Sequence, residues 1–220
     1  MDFNFNLVVQ SFPLLLMGAG ITIKITAMSV TVGIIIGLIM GVARLCRIKI
    51  FRLLAAIYVD FFRGTPLLVQ IFLVYFALPL LTGQRSDPYV AAISACGLNS
   101  GAYVAEIFRS GIMSVDQGQF EAGRSLGFSY GQTMWHIIAP QALKNVLPAL
   151  ANEFITLLKE TSICGYIALT DITHGANTIR SQTYEPLLPL LAAAAIYLVI
   201  VSILTFGVGR LERRLRTDAR

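Results

Sequence analysis

The chain is short of the residues that perform covalent chemistry. It has two histidines and three cysteines in 220 residues. Cys46, Cys96 and Cys164 share no metal-ligand spacing, so no metal site is expected. Cys96 and Cys164 sit in apolar segments and read as small buried hydrophobes. No GxxxxGKS/T phosphate loop, HExxH pair or GxSxG nucleophile elbow occurs. His136 and His174 are far apart and read as surface residues rather than ligands. These absences exclude enzymes built on such motifs and leave no expected cofactor. Nothing in the chain can hydrolyse ATP.

Charge is scarce as well. Charged residues make up 13% of the chain and hydrophobic ones 56%, with a mean hydropathy of +0.72. That balance fits an all-α bundle of membrane-spanning helices, not a soluble domain. The net charge of +5 could suggest nucleic acid, but twelve of the seventeen Lys and Arg residues fall in 44–52, in 109–144 and in the tail from Arg210. If five segments cross the bilayer, all three regions lie on the cytoplasmic side. The basic excess is then a topology signal, and no nucleic-acid partner is expected. Asp2 is the only early charge, so a cleaved signal peptide is not expected.

Taken in order, residues 3–19 carry Asn4, Asn6, Gln10 and Pro13 and predict an outer-surface helix or hairpin entry. The first crossing runs from about Ile21 to Ala43, long enough for a ~30 Å hydrocarbon core. Gly33, Gly37 and Gly41 recur every fourth residue and leave a groove for close helix packing. The second crossing, about Leu53 to Leu81, holds Asp60 and Arg63 at a spacing that permits pairing, and Pro66 predicts a kink. The third, about Pro88 to Ser110, has a small-residue face (Gly97, Gly101, Ala105) and a polar one (Asn99, Tyr103, Glu106). The fourth, about Val146 to Leu169, carries Asn152, Glu153, Thr156, Lys159, Glu160 and Ser162, mostly on one stripe. An outer loop, Thr170 to Glu185, leads to a fifth crossing at about Leu187 to Val208. The pattern predicts five crossings, the N-terminus outside and the C-terminus inside.

Each charge at membrane depth costs roughly 2.5–3.5 kcal/mol on insertion scales, so these must pair or meet water. Glu106 and Arg109, at the cytoplasmic end, either pair to fix helix register or serve a pathway. Asp60, Arg63, Glu153, Lys159, Glu160 and Ser162 are candidates for a substrate pathway. Counted from Val146, Lys159 and Glu160 fall near the midplane, where small-molecule sites of transporters tend to lie beside broken helices. Carboxylates beside Arg and Lys suit a zwitterion, whose two charged ends both need partners once dehydrated.

Between the third and fourth crossings lies Glu121–Pro140, polar and punctuated by Gly123, Gly127 and Gly131. Its periodicity predicts two short helices broken at Gly127-Phe128-Ser129, with Ala122, Leu126 and Phe120 on one face of the first and Met134, Ile137 and Ile138 on one face of the second. This is a knob that another protein could grip.

Glu121-Ala122-Gly123, then Gly127, then Ile137-x-Ala139-Pro140 resembles the EAA loop of ATP-binding-cassette importer permeases. Gly123 and Ala139 depart from its usual Ala and Leu. Residues 63–70 (RGTPLLVQ), 101–112 (GAYVAEIFRSGI) and 157–162 (LLKETS) are similar to the polar amino-acid branch, the histidine/glutamine/arginine permeases. The resemblance covers essentially the whole chain as a single transmembrane domain, 1–220, with a cytoplasmic coupling loop at about 111–145. It implies a MetI-like permease fold in the bacterial inner membrane, paired with a second permease subunit, identical or related. An ATPase dimer would dock beneath, and an extracytoplasmic binding protein would deliver an amino acid. Glu121, Ala122, Gly123, Gly127, Ile137 and Pro140 would form the coupling helix and its turn. A passive channel using the polar stripe, or a scaffold using only the knob, are the competing readings.

Overall fold

In hydrocarbon a chain must satisfy its own backbone polar groups, and a long apolar run does so as a helix. The computed structural model describes the backbone of residues 5–217 and the side chains of residues 12–215, all in helices and turns. Helix α1 runs unbroken over Phe5–Leu45. Thr22 and Thr26 turn their hydroxyls back to the carbonyls four residues earlier, at 3.0 and 2.8 Å, so these buried groups need no outside partner. The expected surface segment at 3–19 is therefore corrected: from Phe5 onward it is the first part of α1 (residues 3 and 4 lie outside the described residues). Pro13 does not end the helix, because the turns after it are held by tertiary packing. Leu15 and Ala19 are buried against Ile172, Ala176 and Ile179. At Gly18 a Cβ would lie 2.7 Å from the backbone of Asp171 and Ile172.

The segment expected to be the second crossing is broken rather than kinked. Helix α2 (Lys49–Gly64) stops before Pro66. After it come α3 (Leu67–Phe72), a π turn (Leu73–Ala77) and α4 (Leu78–Thr82), and the two halves meet at 104°. Helix α5 (Pro88–Met113) is the central element, with Asp87 capping its start through bonds from Tyr89 N and Val90 N. The glycine groove of α1 packs on it as expected. Gly33 lies against Ser100, Gly37 against Val104 and Gly41 against Phe108. A Cβ at Gly37 would overlap the Val104 side chain. Gly37→Ala is expected to cost about 1–3 kcal/mol, visible as a lower unfolding temperature in detergent. Adding Val104→Ala should recover part of that loss.

Next come α6 (Gln117–Ser125), α7 (Tyr130–Thr133), a π turn (Met134–Ile138) and α8 (Ala139–Glu160), which passes into a 3-10 turn at Thr161–Ile167. The helix expected to be the fourth crossing thus starts earlier than Val146 and is α-helical only to Glu160. Lys159 and Glu160 are the last two residues of α8, not its middle. Cys96 and Cys164 face each other in the main core, free thiols with 3.9 Å between sulfurs.

The expected outer loop at 170–185 is mostly a helix, α9 (Ile172–Thr183), whose apolar face fills a second small core against α1 and α10 (Leu187–Thr217). Asp171 caps α9 by accepting from His174 N at 2.7 Å. It is 1% exposed, and its second oxygen has no hydrogen-bond partner among the described residues. Burial pushes this carboxyl up from 3.8 to about 6. Because the folded state favours the proton, stability from this group is full below about pH 4 and is lost as pH rises through about 6. Asp171→Asn keeps the cap and removes the charge. It is expected to raise the unfolding temperature at pH 7, by a term on the order of 2–3 kcal/mol, and to flatten the wild-type fall between pH 4 and 7. Thermal unfolding across that range checks it.

Among the described residues, three helices are long and apolar enough to span a membrane: Phe12–Leu45, Pro88–Met113 and Leu187–Leu215. The bent pair Lys49–Gly64 and Leu67–Thr82 makes a fourth if counted as one span. The polar residues of α8 keep it out of that group. Helix α10 buries only one face, and Leu198, Ile203 and Phe206 point outward, as suits contact with lipid.

Candidate functional site

Two features stand out from the apolar bundle: polar side chains gathered around the middle of α5, and the knob formed by α6 and α7.

The first begins at the break between α2 and α3. Pro66 has no N–H, so the carbonyl of Phe62 loses its helical donor. Thr65 and Pro66 are both extended, which leaves neighbouring carbonyls open too. Side chains take their place. Gln70 Nε2 donates to Phe62 O at 2.9 Å and lies 3.0 Å from Thr65 O and 2.8 Å from Thr65 Oγ1. Asn99 Nδ2, from α5, donates to Phe62 O at 3.1 Å and to Gln70 Oε1 at 3.0 Å. The Thr65 hydroxyl donates to Phe61 O at 2.8 Å. Gln70 and Asn99 are both buried. Tyr58 adds a tie from α2 to α5, its hydroxyl donating to Leu98 O at 2.6 Å.

One residue before Gly64, Arg63 lies with its guanidinium 5.2 Å from the centre of the Tyr103 ring, a cation–π arrangement. The expected Asp60–Arg63 pair is not formed: no ion pair within 4.0 Å joins them, and both side chains are exposed. From the other side of α5, Ser100 Oγ donates to Glu153 of α8 at 2.9 Å. Three successive positions of interest on α5 thus collect three elements: Asn99 holds the break, Ser100 holds Glu153 and Tyr103 receives Arg63. Asn152, Thr156, Lys159 and Glu160 extend the α8 stripe and are exposed in the single chain, while Ser162 is half-buried in the 3-10 turn.

Glu106 and Arg109 resolve toward register. Glu106 accepts from Arg44 of α1 at 2.8 Å and from Arg109 through Nε at 3.0 Å and through Nη2. This bridge ties the C-terminal end of α1 to α5.

The knob is built by its turn. Asp116 caps α6, accepting from Gly118 N at 2.7 Å. After Ser125 the chain reverses through Gly127, whose φ of +87° belongs to the left-handed region that glycine adopts without strain. Phe128 N then closes onto Gly123 O at 3.2 Å. Ser129 and Gln132 form a reciprocal capping box at the start of α7. Gly123 is buried: a Cβ there would lie 2.8 Å from both Ile137 and Thr133. Gly123 and Ile137 are therefore the inner contact of the knob. Ala122 and Leu126, expected on one face of the first short helix, are both exposed, with Leu126 at 76%. Phe120 packs edge-on against Tyr130, over which Arg47 from the α1–α2 connection lies at 5.6 Å. Pro140 cannot donate to His136 O, and the backbone widens into the π turn just before α8. Glu121 is exposed and accepts from Gln117 at 3.3 Å. The knob shows solvent a charged flank with Leu126, Trp135 and Phe128 bare. Exposed apolar patches of this kind commonly mark interaction surfaces.

Sequence reasoning missed the role of Gln70. Its signal was an uncharged hydrogen-bonding side chain four residues after a proline break in an apolar segment.

Comparison with known proteins bears on the family and fold of the chain. The family model described as "Binding-protein-dependent transport system inner membrane component" matches residues 33–217. The arginine transport system permease protein ArtQ of Bacillus subtilis (strain 168) is 42% identical over 218 residues, covering 99% of this chain and 100% of that one. The glutamine transport system permease protein GlnP of Escherichia coli (strain K12) is 37% identical over 217 residues, 98% and 99% of the two chains. A crystal structure of an amino acid ABC transporter with histidines superposes with a TM-score of 0.93 at 42% identity, covering 97% of this chain and 100% of its own. An inward-facing structure of the MetNI methionine ABC transporter matches in fold, with a TM-score of 0.79 at 22% identity and 93% and 97% coverage.

Proposed function

Because this chain belongs to the family of binding-protein-dependent transport system inner membrane components, we infer that it is the permease subunit of an ATP-driven importer carrying a polar amino acid into a bacterial cell. It is not itself an enzyme: hydrolysis of ATP resides in a separate subunit. The observation that carries the reading is the pairing, in one small chain, of polar side chains gathered within an apolar bundle and an exposed knob with an apolar tip.

The chain forms one permease domain with a MetI-like fold in the cytoplasmic (inner) membrane. Its five crossings are α1, the broken α2–α4, α5, α8 with its 3-10 turn, and α10, with the N-terminus outside and the C-terminus inside. A second permease subunit covers the α8 stripe. An extracytoplasmic amino-acid-binding protein delivers substrate, and an ATP-binding-cassette dimer holds the knob. Asp60, Arg63, Glu153, Lys159, Glu160 and Ser162 line the pathway. Arg63 and Lys159 meet a carboxylate and the acids meet an ammonium, so a dehydrated amino acid finds both partners. Closure of the ATPase pair moves the knobs together, and the rigid contact of Gly123 with Thr133 and Ile137 passes the motion to α8.

Reconstitution in proteoliposomes with the ATPase and the binding protein tests this. Uptake that requires ATP supports it. Flux without ATP would make the chain a channel, and ATPase binding without flux would make it a scaffold.

A further inference from the structure

The hydrogen bonds at the α2–α3 break do more than fill gaps. We propose that Gln70 and Asn99 are positioning residues: a clamp that replaces the backbone hydrogen bonds lost at Pro66 and thereby holds Arg63 at the pathway. This rests on the reading that Arg63 lines that pathway.

The clamp reaches Phe62 O from two directions, Gln70 at 2.9 Å and Asn99 at 3.1 Å. Phe62 immediately precedes Arg63, so fixing its carbonyl fixes the last turn of α2, from which Arg63 projects. Asn99 has two amide hydrogens and two acceptors, Phe62 O and Gln70 Oε1. Gln70 has two hydrogens for three acceptors and shares one of them between the two oxygens of Thr65. Both amides are nearly dry, at 3% and 4% exposed, where an unpaired carbonyl is costly. Tyr103, which carries Arg63 on its ring, stands four residues after Asn99 and so one turn along the same face of α5. One helix therefore supplies both the anchor of the break and the platform for the guanidinium. The distance between them is set by helix geometry, not by the flexible arginine stem.

The test uses the complete transporter in proteoliposomes, with radiolabelled L-arginine and L-glutamine as probes. Gln70→Met roughly keeps the volume and removes every side-chain hydrogen bond. It is expected to raise the half-saturating probe concentration about tenfold, in the range set by stranding a buried acceptor, with a much smaller change in maximal rate. Asn99→Ala strips one arm and should give a smaller shift in the same direction, which keeps the idea testable if Gln70→Met does not assemble. In an Arg63→Met background the Gln70 and Asn99 substitutions should have no further effect on half-saturation. Unchanged half-saturation in both clamp variants, or shifts that multiply with that of Arg63→Met, would overturn the clamp while leaving Arg63 in the pathway. If Arg63→Met itself leaves uptake of both probes unaltered, the pathway assignment fails and the clamp's purpose fails with it.

Discussion

Gly127→Val is expected to reduce ATP-driven uptake to background while the permease still inserts and accumulates normally. The reason is conformational. Gly127 has φ +87°, and nothing lies within 4 Å of where its Cβ would sit, so a side chain there meets no neighbour. What it meets is the left-handed backbone, which costs L residues roughly 1–2 kcal/mol and β-branched ones more. The turn must open to relieve this, and with it goes the closure of Phe128 N on Gly123 O. The angle between α6 and α7 changes, and the exposed tip no longer fits its partner. Gly127→Asn, which tolerates this region better, should retain more uptake than Gly127→Val. Glu121→Lys makes the same point by charge. Its side chain is exposed and its one described bond is from Gln117 at 3.3 Å, so reversal should barely touch folding yet abolish coupled uptake. Normal uptake in both Gly127→Val and Glu121→Lys would refute the coupling assignment.

Glu160→Gln should alter uptake rate or substrate preference more than Glu106→Gln. Glu160 is exposed at the end of α8 and has no ion pair within 4.0 Å among the described residues, so its removal strands none of them. On the proposed pathway it would meet a translocating ammonium. Glu106 is the shared acceptor of Arg44 and Arg109. Its loss leaves two guanidiniums unpaired in a half-buried place and is expected to cost about 1–3 kcal/mol of stability with selectivity intact. Uptake competition between L-arginine and L-glutamine, beside unfolding temperatures, separates the two effects. The opposite ranking would mean that the substrate passes along α5 at Glu106.

Much of this was legible in the residues. Apolar length and basic placement gave an all-helical membrane chain, and the four-residue glycine spacing gave the α1–α5 seam. Gly127-Phe128-Ser129 marked the turn, a local signal with a local cause. What stayed hidden depends on distant partners. Residues 170–185 look like a loop because half are polar, and only the facing side chains of α1 and α10 make α9 a helix worth burying. Pro13 looks like a boundary until packing against α9 carries α1 past it. The spacing of Asp60 and Arg63 permits an ion pair, but the ring of Tyr103 competes for the guanidinium and takes it. Pro66 announces a bend without its size, because the 104° break is accompanied by hydrogen bonds from the distant side chains of Gln70 and Asn99 to Phe62 O. The shared face of Ala122 and Leu126 was legible, but not that it stands exposed on the tip that a partner would cover.

The central claim is that the knob is gripped from the cytoplasm by an ATPase. A cysteine at Leu126, in a Cys46→Ser background, tests it most directly. In sealed vesicles of known orientation, a membrane-impermeant maleimide should label that cysteine only from the cytoplasmic side, and co-expression of the ATPase should protect it. Labelling from the outer side, or labelling from the cytoplasm that the ATPase does not diminish, would contradict the account.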